Sequence, residues 1–408
     1  LIKKILKSIG PGPLVAAAFI GPGTVTVCTI AGVKFGLALL WAMVISILIT
    51  VVFQEMSARL GVISQRGFAE LIKTEIKNPI LNIFITVLIL LAIVLGNAAY
   101  QAGNISGAVL GLSVLNEVYT IDIFGLTINI YSLLIGAIAF SLLYIGNYKI
   151  LERSMISLVV FMSISFVIAA IITKPDLGSI LSNIITFRTP ENSLLTVVAL
   201  IGTTVVPYNL FLHSALAKEK WKDKSNLKLA QTDTIIAVVF GGLVSMSIII
   251  TASSLYIEGV ENASDLALGL APVYGNAAKY VLALGLFAAG ITSAVTAPLA
   301  AAYVACGCLG WSTKLNSSKF RLVWMLVLLI GVIFASTGIK PVKIITIAQI
   351  ANGLLLPLIA LMLIWMMNQR HILGVHVNSK TQNLISVALL VFVVFLGMKS
   401  ILQAFQWI

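Results

Sequence analysis

Apolar stretches long enough to cross a bilayer recur along the whole of this chain, and no connection between them is long enough to fold alone. A bilayer core about 30 Å thick needs about 20 apolar residues per helix. Eleven stretches meet that demand: 13–33, 36–57, 80–110, 128–147, 154–173, 193–217, 231–256, 276–306, 321–337, 341–367 and 383–404. They are numbered here as spans 1 to 11. Of the 408 residues 60% are hydrophobic and 10% charged, with a mean hydropathy of +1.08. A soluble domain carries roughly 25% charged residues. The polar surface is too small to cover a soluble globule, so lipid must be the solvent and the fold an all-α membrane bundle.

The net charge of +12 raises the possibility of a nucleic-acid partner. The positions of the charges exclude it. Basic residues sit between apolar spans, where they orient a membrane protein. Counting alternate connections, 19 of the 26 lysines and arginines fall on one side and 7 on the other. The bias predicts a cytoplasmic N-terminus, an outside C-terminus and residence in the cytoplasmic membrane. Lys3, Lys4 and Lys7 precede a long apolar stretch without a small-residue cleavage site, so no cleavable signal is expected. Cys28, Cys306 and Cys308 have neither disulfide nor zinc spacing. No cofactor is expected, and the oligomeric state is not readable.

Spans 1 and 6 each carry a proline near mid-membrane, at Gly21-Pro22-Gly23-Thr24 and Val206-Pro207-Tyr208-Asn209. Proline removes a backbone donor and clashes with the preceding turn. Unwound backbone at that depth survives only inside protein or along a wet cavity. One proline is easily a simple kink. Two, five spans apart and rich in hydroxyls and amides, point to inverted repeats with a binding site between the broken helices. The expected repeats are residues 13–173 and 193–367, with 383–404 an extra helix. Gly103, Gly107 and Gly111 in span 3 are spaced for close helix packing.

These residues resemble the natural resistance-associated macrophage protein (Nramp) family of divalent metal transporters. Span 1 and its flank read Gly-Pro-Gly-Thr, Leu40-Trp41 and Ser57-Ala58-Arg59-Leu60-Gly61, similar to the family's Asp-Pro-Gly-Asn motif and the end of its second helix. Span 6 reads from Gly202 to Ser214 as Gly-Thr-Thr-Val-Val-Pro-Tyr-Asn-Leu-Phe-Leu-His-Ser. The family pattern is Gly-Ala-Thr-Val-Met-Pro-His-Asn-Leu-Tyr-Leu-His-Ser. Span 10 carries Ala348-Gln349-Ile350-Ala351-Asn352-Gly353 and Leu356-Pro357. The resemblance covers spans 1 to 10. It implies an eleven-helix, two-repeat bundle of the LeuT type and a secondary transporter, not an enzyme.

The departures from the family bear on chemistry. The family holds metal with the span 1 Asp and Asn, the span 6 Met sulfur and a nearby carbonyl, joined by a span 10 Gln. Here those positions are Gly21, Thr24, Val206, Thr203 and Gln349. The family's His after the span 6 proline is Tyr208. Its span 3 proton-path Asp and Glu align with Gln101 and Asn104. The resemblance therefore places the candidate substrate site at Gly21, Gly23, Thr24, Thr203, Val206, Tyr208, Asn209 and Gln349. A metal would be held, if at all, by the Gly21 and Thr203 backbone with Thr24 and Gln349.

None of the fourteen acids falls at mid-span. A dehydrated divalent cation without an anionic ligand bears a heavy desolvation cost. Carbonyls and hydroxyls suit a hard ion that keeps several waters, as magnesium does, and suit softer metals less well. Cys28, about one turn past the break, is the remaining candidate sulfur. The half-helix starts after residues 23 and 207 expose backbone N–H groups that favour an anion, with Thr26, Thr29 and Thr204 as further donors unless they back-bond. Proton coupling needs titratable groups in the path; Gln101 and Asn104 are not, and His213 is the possible relay. Three readings stand: an Nramp-type metal transporter with a neutral site, a same-fold carrier of a neutral, zwitterionic or anionic solute, and a non-transporting sensor.

Overall fold

The computed structural model describes residues 20–115, 119–123, 126–146 and 149–404. The start of span 1, with Lys3, Lys4 and Lys7, lies outside the described residues. Among the described residues nine helical segments are long and apolar enough to cross a membrane. The shorter apolar helix Ile130–Ile145 and the described part of span 1, Pro22–Phe35, fill the remaining two expected positions.

Span 1 continues as α1 (Pro22–Phe35) and span 2 is α2 (Leu40–Ser64). The span 2–3 connection holds α3 (Phe68–Glu75). Span 3 is α4 (Pro79–Leu90), a π turn over Leu91–Leu95 and α5 (Gly96–Leu112). Spans 4 and 5 are α6 (Ile130–Ile145) and α7 (Lys149–Ile172), followed by α8 (Leu177–Ile185) in the next connection. Span 6 is split into α9 (Leu194–Thr204) and α10 (Pro207–Lys220). Spans 7 to 11 are α11 (Leu227–Ala252), α12 (Ala278–Leu309), α13 (Ser318–Ser336), α14 (Pro341–Met366) and α15 (Lys380–Ala404).

The bundle sorts its helices by what they touch. Residues 197–214 are wholly buried, whereas Ile80, Ile83, Phe84 and Ile171 face outward, each 63% exposed or more. In water such exposure would be costly; in a bilayer those faces meet lipid tails of their own polarity. The span 3 glycines are packing positions, as their spacing predicts. A Cβ at Gly107 would overlap Pro22, one at Gly103 would lie 3.2 Å from Ala348, and one at Gly111 would lie 2.6 Å from the Ala283 carbonyl. α5 is thereby pressed against the span 1 break, α14 and α12.

Three elements were not anticipated. Residues Thr120–Ile123 (β1) pair antiparallel with Leu126–Asn129 (β2), so 128–129 belong to a hairpin and not to span 4. The alternating Thr-Ile-Asp-Ile and Leu-Thr-Ile-Asn explain it, and the chain is all-α only within the bundle. α3 buries Phe68, Leu71 and Ile72. α8 leaves Leu177, Leu181 and Ile185 exposed, the pattern of a helix lying on the membrane surface. Asp176 caps α8 by accepting from the Gly178 and Ser179 N–H groups. The Ser179 hydroxyl and those N–H groups hold its carboxyl below the usual carboxylate range.

Candidate functional site between the broken helices

Chain chemistry opens the span 6 break at one atom. In a continuous helix the Thr203 carbonyl would accept from the N–H four residues on, but that residue is Pro207, which has none. α9 stops at Thr204, Val205 and Val206 are unwound, and Pro207 starts α10 at its first turn. The Thr203 carbonyl is thereby released from the helical ladder at the centre of the bundle.

The span 1 break lies beside it. Gly21 is extended (φ −109°, ψ −173°) and Pro22 opens α1. Neither half-helix start has a side-chain cap. The Thr24 and Thr203 hydroxyls meet at 2.9 Å, tying one break to the other. The Gly21 carbonyl already accepts the Val25 N–H at 3.2 Å; a ligand there would use its second lone pair.

α14 forms the third wall. A Cβ at Gly23 would overlap the Gln349 amide, and a Cβ at Gly202 would overlap the Gln349 carbonyl and come within 2.5 Å of the Gly353 nitrogen. Two glycines thus let α1 and α9 close on the same turn of α14. The structure brings Gly21, Gly23, Thr24, Thr203 and Gln349 together. Thr24, Thr203, Val206, Tyr208, Asn209 and Gln349 are each at most 1% exposed, so the site is occluded in this conformation.

Its polar groups are incompletely used. Both amide atoms of Asn209, Oε1 of Gln349, Nδ2 of Asn352 and the Thr26 hydroxyl are buried with no hydrogen-bond partner among the described residues. Each such group costs about 1–3 kcal/mol when left unmade, and natural structures hold few of them. These groups lie on α1, α10 and α14, the helices that meet at the span 6 break. Thr26 does not back-bond to its helix, as the sequence allowed; Thr204 does, donating to the Leu200 carbonyl at 2.8 Å. Tyr208 packs on Tyr100, with ring centroids 5.4 Å apart.

The softer ligands are absent or turned away. Val206 is buried and has no donor. Cys28 is buried and turned to Ser245 of α11. Met43 of α2, overlooked in the sequence, places its sulfur 3.8 Å from the Thr204 hydroxyl. Among the described residues no group of three or more His, Cys, Asp or Glu could hold a metal. Asn352 and Tyr100 were also overlooked. Asn352 was legible, because it lies one turn from Gln349 on an apolar helix; Tyr100 was not, since it depends on how span 3 docks.

Gln101 and Asn104 are both buried; Asn104 donates to Gln101 at 3.5 Å, and Gln101 in turn faces α12. Pro298 lies inside α12 and cannot donate to the Ala294 carbonyl. The Gln101 amide donates to that carbonyl instead, at 2.9 Å, and Asn97 donates to Ala297 O at 2.9 Å. Gly331 of α13 leaves the space that the Gln101 side chain occupies. The Gln101 amide therefore mends a proline gap, a task a carboxylate cannot perform because it has no donor.

His213 is buried in α10, away from the substrate cluster. Its Nδ1 lies 2.6 Å from Gln54 Oε1. Its Nε2 lies 3.3 Å from the Thr234 hydroxyl oxygen, whose own proton goes to the Ala230 carbonyl at 2.8 Å. Both ring nitrogens thus face oxygens.

A closed polar site between the start of α1 and the break in span 6, in a bundle of apolar helices, defines a membrane transporter of the LeuT-like fold. The chain belongs to the natural resistance-associated macrophage protein-like (Nramp) family, whose profile matches residues 12–403. It is 27% identical over 389 residues to the divalent metal cation transporter MntH of Verminephrobacter eiseniae, covering 92% of this chain and 84% of that protein. It is 25% identical over 408 residues to MntH of Deinococcus radiodurans, covering 97% and 89%. In fold it matches the Eremococcus coleocola manganese transporter, with a TM-score of 0.76 at 20% identity over 98% of this chain and 87% of that one. It also matches Mhp1, a nucleobase-cation-symport-1 family transporter, with a TM-score of 0.56 at 15% identity over 97% and 93%.

Proposed function

We propose that this protein is a secondary transporter working by alternating access, and that it carries a hard divalent metal cation with part of its water shell. The observation that carries this reading is the Thr203 carbonyl that Pro207 leaves without its helical donor, beside the unpartnered side-chain atoms of Thr26, Asn209 and Gln349. The set contains carbonyl, hydroxyl and amide oxygens and no carboxylate. Stripping a divalent ion bare in such a place is prohibitive. An ion that retains waters spreads its charge over them, and those waters donate to the neutral oxygens of the site. With Val206 in place of a thioether and the Met43 sulfur engaged by the Thr204 hydroxyl, the break offers no free soft ligand to select cadmium or other soft metals. That relatives across the chain are named divalent metal cation transporters supports the same class.

Residues 13–173 and 193–367 are assigned as the inverted repeats that move against each other, with 383–404 outside them. The termini are assigned by the Lys and Arg bias, N-terminus in the cytoplasm and C-terminus outside. Gln101 and Asn104 of span 3 relay no proton, because side-chain amides do not titrate. A proton, where one moves, is held at His213, whose two nitrogens both face oxygens.

Uptake into proteoliposomes tests the reading. Tracer flux of magnesium, manganese, iron(II) and cadmium is expected to be saturable, to favour magnesium and manganese over cadmium, and to be lost in Asn209→Ala. Absence of flux and binding for all four would overturn it. The uncapped starts of α1 and α10 favour a second reading, a carrier of a zwitterionic or anionic solute. Under it, amino acids or small anions would stabilise the protein against heat and the four metals would not.

A further inference from the structure

A second polar site lies far from the broken helices, where α2, α11 and α15 meet at the Lys- and Arg-rich end of the bundle. A groove of about 450 Å³ opens there. Its polar wall is built on Arg59, which is 4% exposed. The Arg59 guanidinium donates to Glu55 at 3.0 Å, to Asn378 at 2.8 Å and to the His376 carbonyl at 3.2 Å. The other Glu55 oxygen accepts from Gln231 at 2.7 Å. Glu55 is thus fully engaged and its charge balanced. The groove retains a surplus cation: Lys228, exposed in its lining, pairs with no carboxylate among the described residues.

The other half of the groove is apolar, lined by Val51, Val52, Ile235 and Ile385. It runs on into outward faces of α11 and α15, where Ile236 is 64% exposed, Leu384 72% and Val391 60%. Those faces point to lipid. A surplus cation with unspent N–H donors, at the end of an apolar channel open to lipid tails, fits one molecule. It needs an acceptor-rich anionic head joined to hydrocarbon.

We propose that this groove is a binding site for an anionic phospholipid, its phosphodiester held by Lys228 and one acyl chain lying along Val52, Ile235 and Ile385. Basic niches between helices at a membrane face hold anionic headgroups in this way. The lipid would clamp α15 and α11 to α2, so it would also stabilise the bundle. The site is independent of the identity of the transported solute.

Native mass spectrometry of the full chain, released from nanodiscs containing equal phosphatidylglycerol and phosphatidylcholine, tests it. The expected result is a retained phosphatidylglycerol in preference to phosphatidylcholine. Lys228→Gln is expected to cut that preference roughly fivefold, the size of one lysine's attraction to an anionic headgroup, while the exposed Lys314→Gln leaves it unchanged. Ile385→Trp, which fills the acyl channel at a lipid-facing position, is expected to abolish retention while the protein still melts cooperatively. Equal retention of the two lipids would overturn the proposal. So would a preference that survives Lys228→Gln or Ile385→Trp, or thermal protection by inorganic phosphate equal to that by phosphatidylglycerol.

Discussion

Two prolines, Pro207 and Pro298, each release a helix carbonyl in the middle of this bundle, and the chain treats the two gaps in opposite ways. At Pro298 the freed Ala294 carbonyl is met by the Gln101 amide at 2.9 Å, and α12 continues as one helix from Ala278 to Leu309. At Pro207 the helix parts into α9 and α10, and Asn209 and Gln349 stand nearby with amide atoms unspent. A filled gap is scaffold, whereas the unfilled one is where we propose that the solute binds. The difference also explains why span 3 can lose its family acids without a cavity or a stranded charge. The amides there have taken up structural work, while the polar atoms at the span 6 break await a partner.

Breaking the scaffold around the site should have the largest effect. Gly202→Ala places a methyl group against the Gln349 carbonyl and the Gly353 nitrogen, both backbone and unable to yield. A loss on the order of 3 kcal/mol is expected, read as a fall in melting temperature or in folded yield. Next is the filled gap. Gln101→Glu sets a carboxylate against the Ala294 carbonyl, costing about 1–3 kcal/mol for the lost donor. Because a protonated carboxyl can donate where a carboxylate cannot, the variant should be more stable at pH 5 than at pH 8, with the wild type showing no such difference. Melting curves at the two pH values check this. The smallest stability effect belongs to the unfilled gap. Asn209→Ala removes two unpaired polar atoms, so the protein should melt as the wild type does or slightly higher, yet lose solute flux. A large loss of stability would mean that Asn209 is scaffold, and the contrast between the two prolines would fall.

Much of the architecture was legible because membranes restrict the menu. Span lengths, the two proline breaks and the span 3 glycines each follow from a local rule about lipid, backbone donors or packing. The hairpin at 120–129, α3 and α8 were missed because short connections were treated as loops, although the alternating residues of the hairpin carried the signal. At the site, the convergence of Thr24, Thr203 and Gln349 was implied by resemblance, and their meeting depends on Gly23 and Gly202, whose purpose is visible only once α14 is placed. The bond from Gln101 to the Pro298 gap could not be read at all, since it joins residues almost two hundred positions apart and depends on the rotation of two helices. Reading Gln101 as a lost acid captured what it cannot do and missed what it does.

The central claim is that a neutral, oxygen-only site selects a hard, partly hydrated divalent cation. Its most direct test is the ratio of magnesium to cadmium flux in proteoliposomes, for the wild type and for the double variant Gly21→Asp, Val206→Met. The wild type should favour magnesium, and the added carboxylate and thioether should move the ratio toward cadmium by about tenfold or more, a shift of roughly 1.4 kcal/mol in relative affinity. A ratio left unchanged by both substitutions would contradict the account, because the substrate would then not be meeting the broken helices at all.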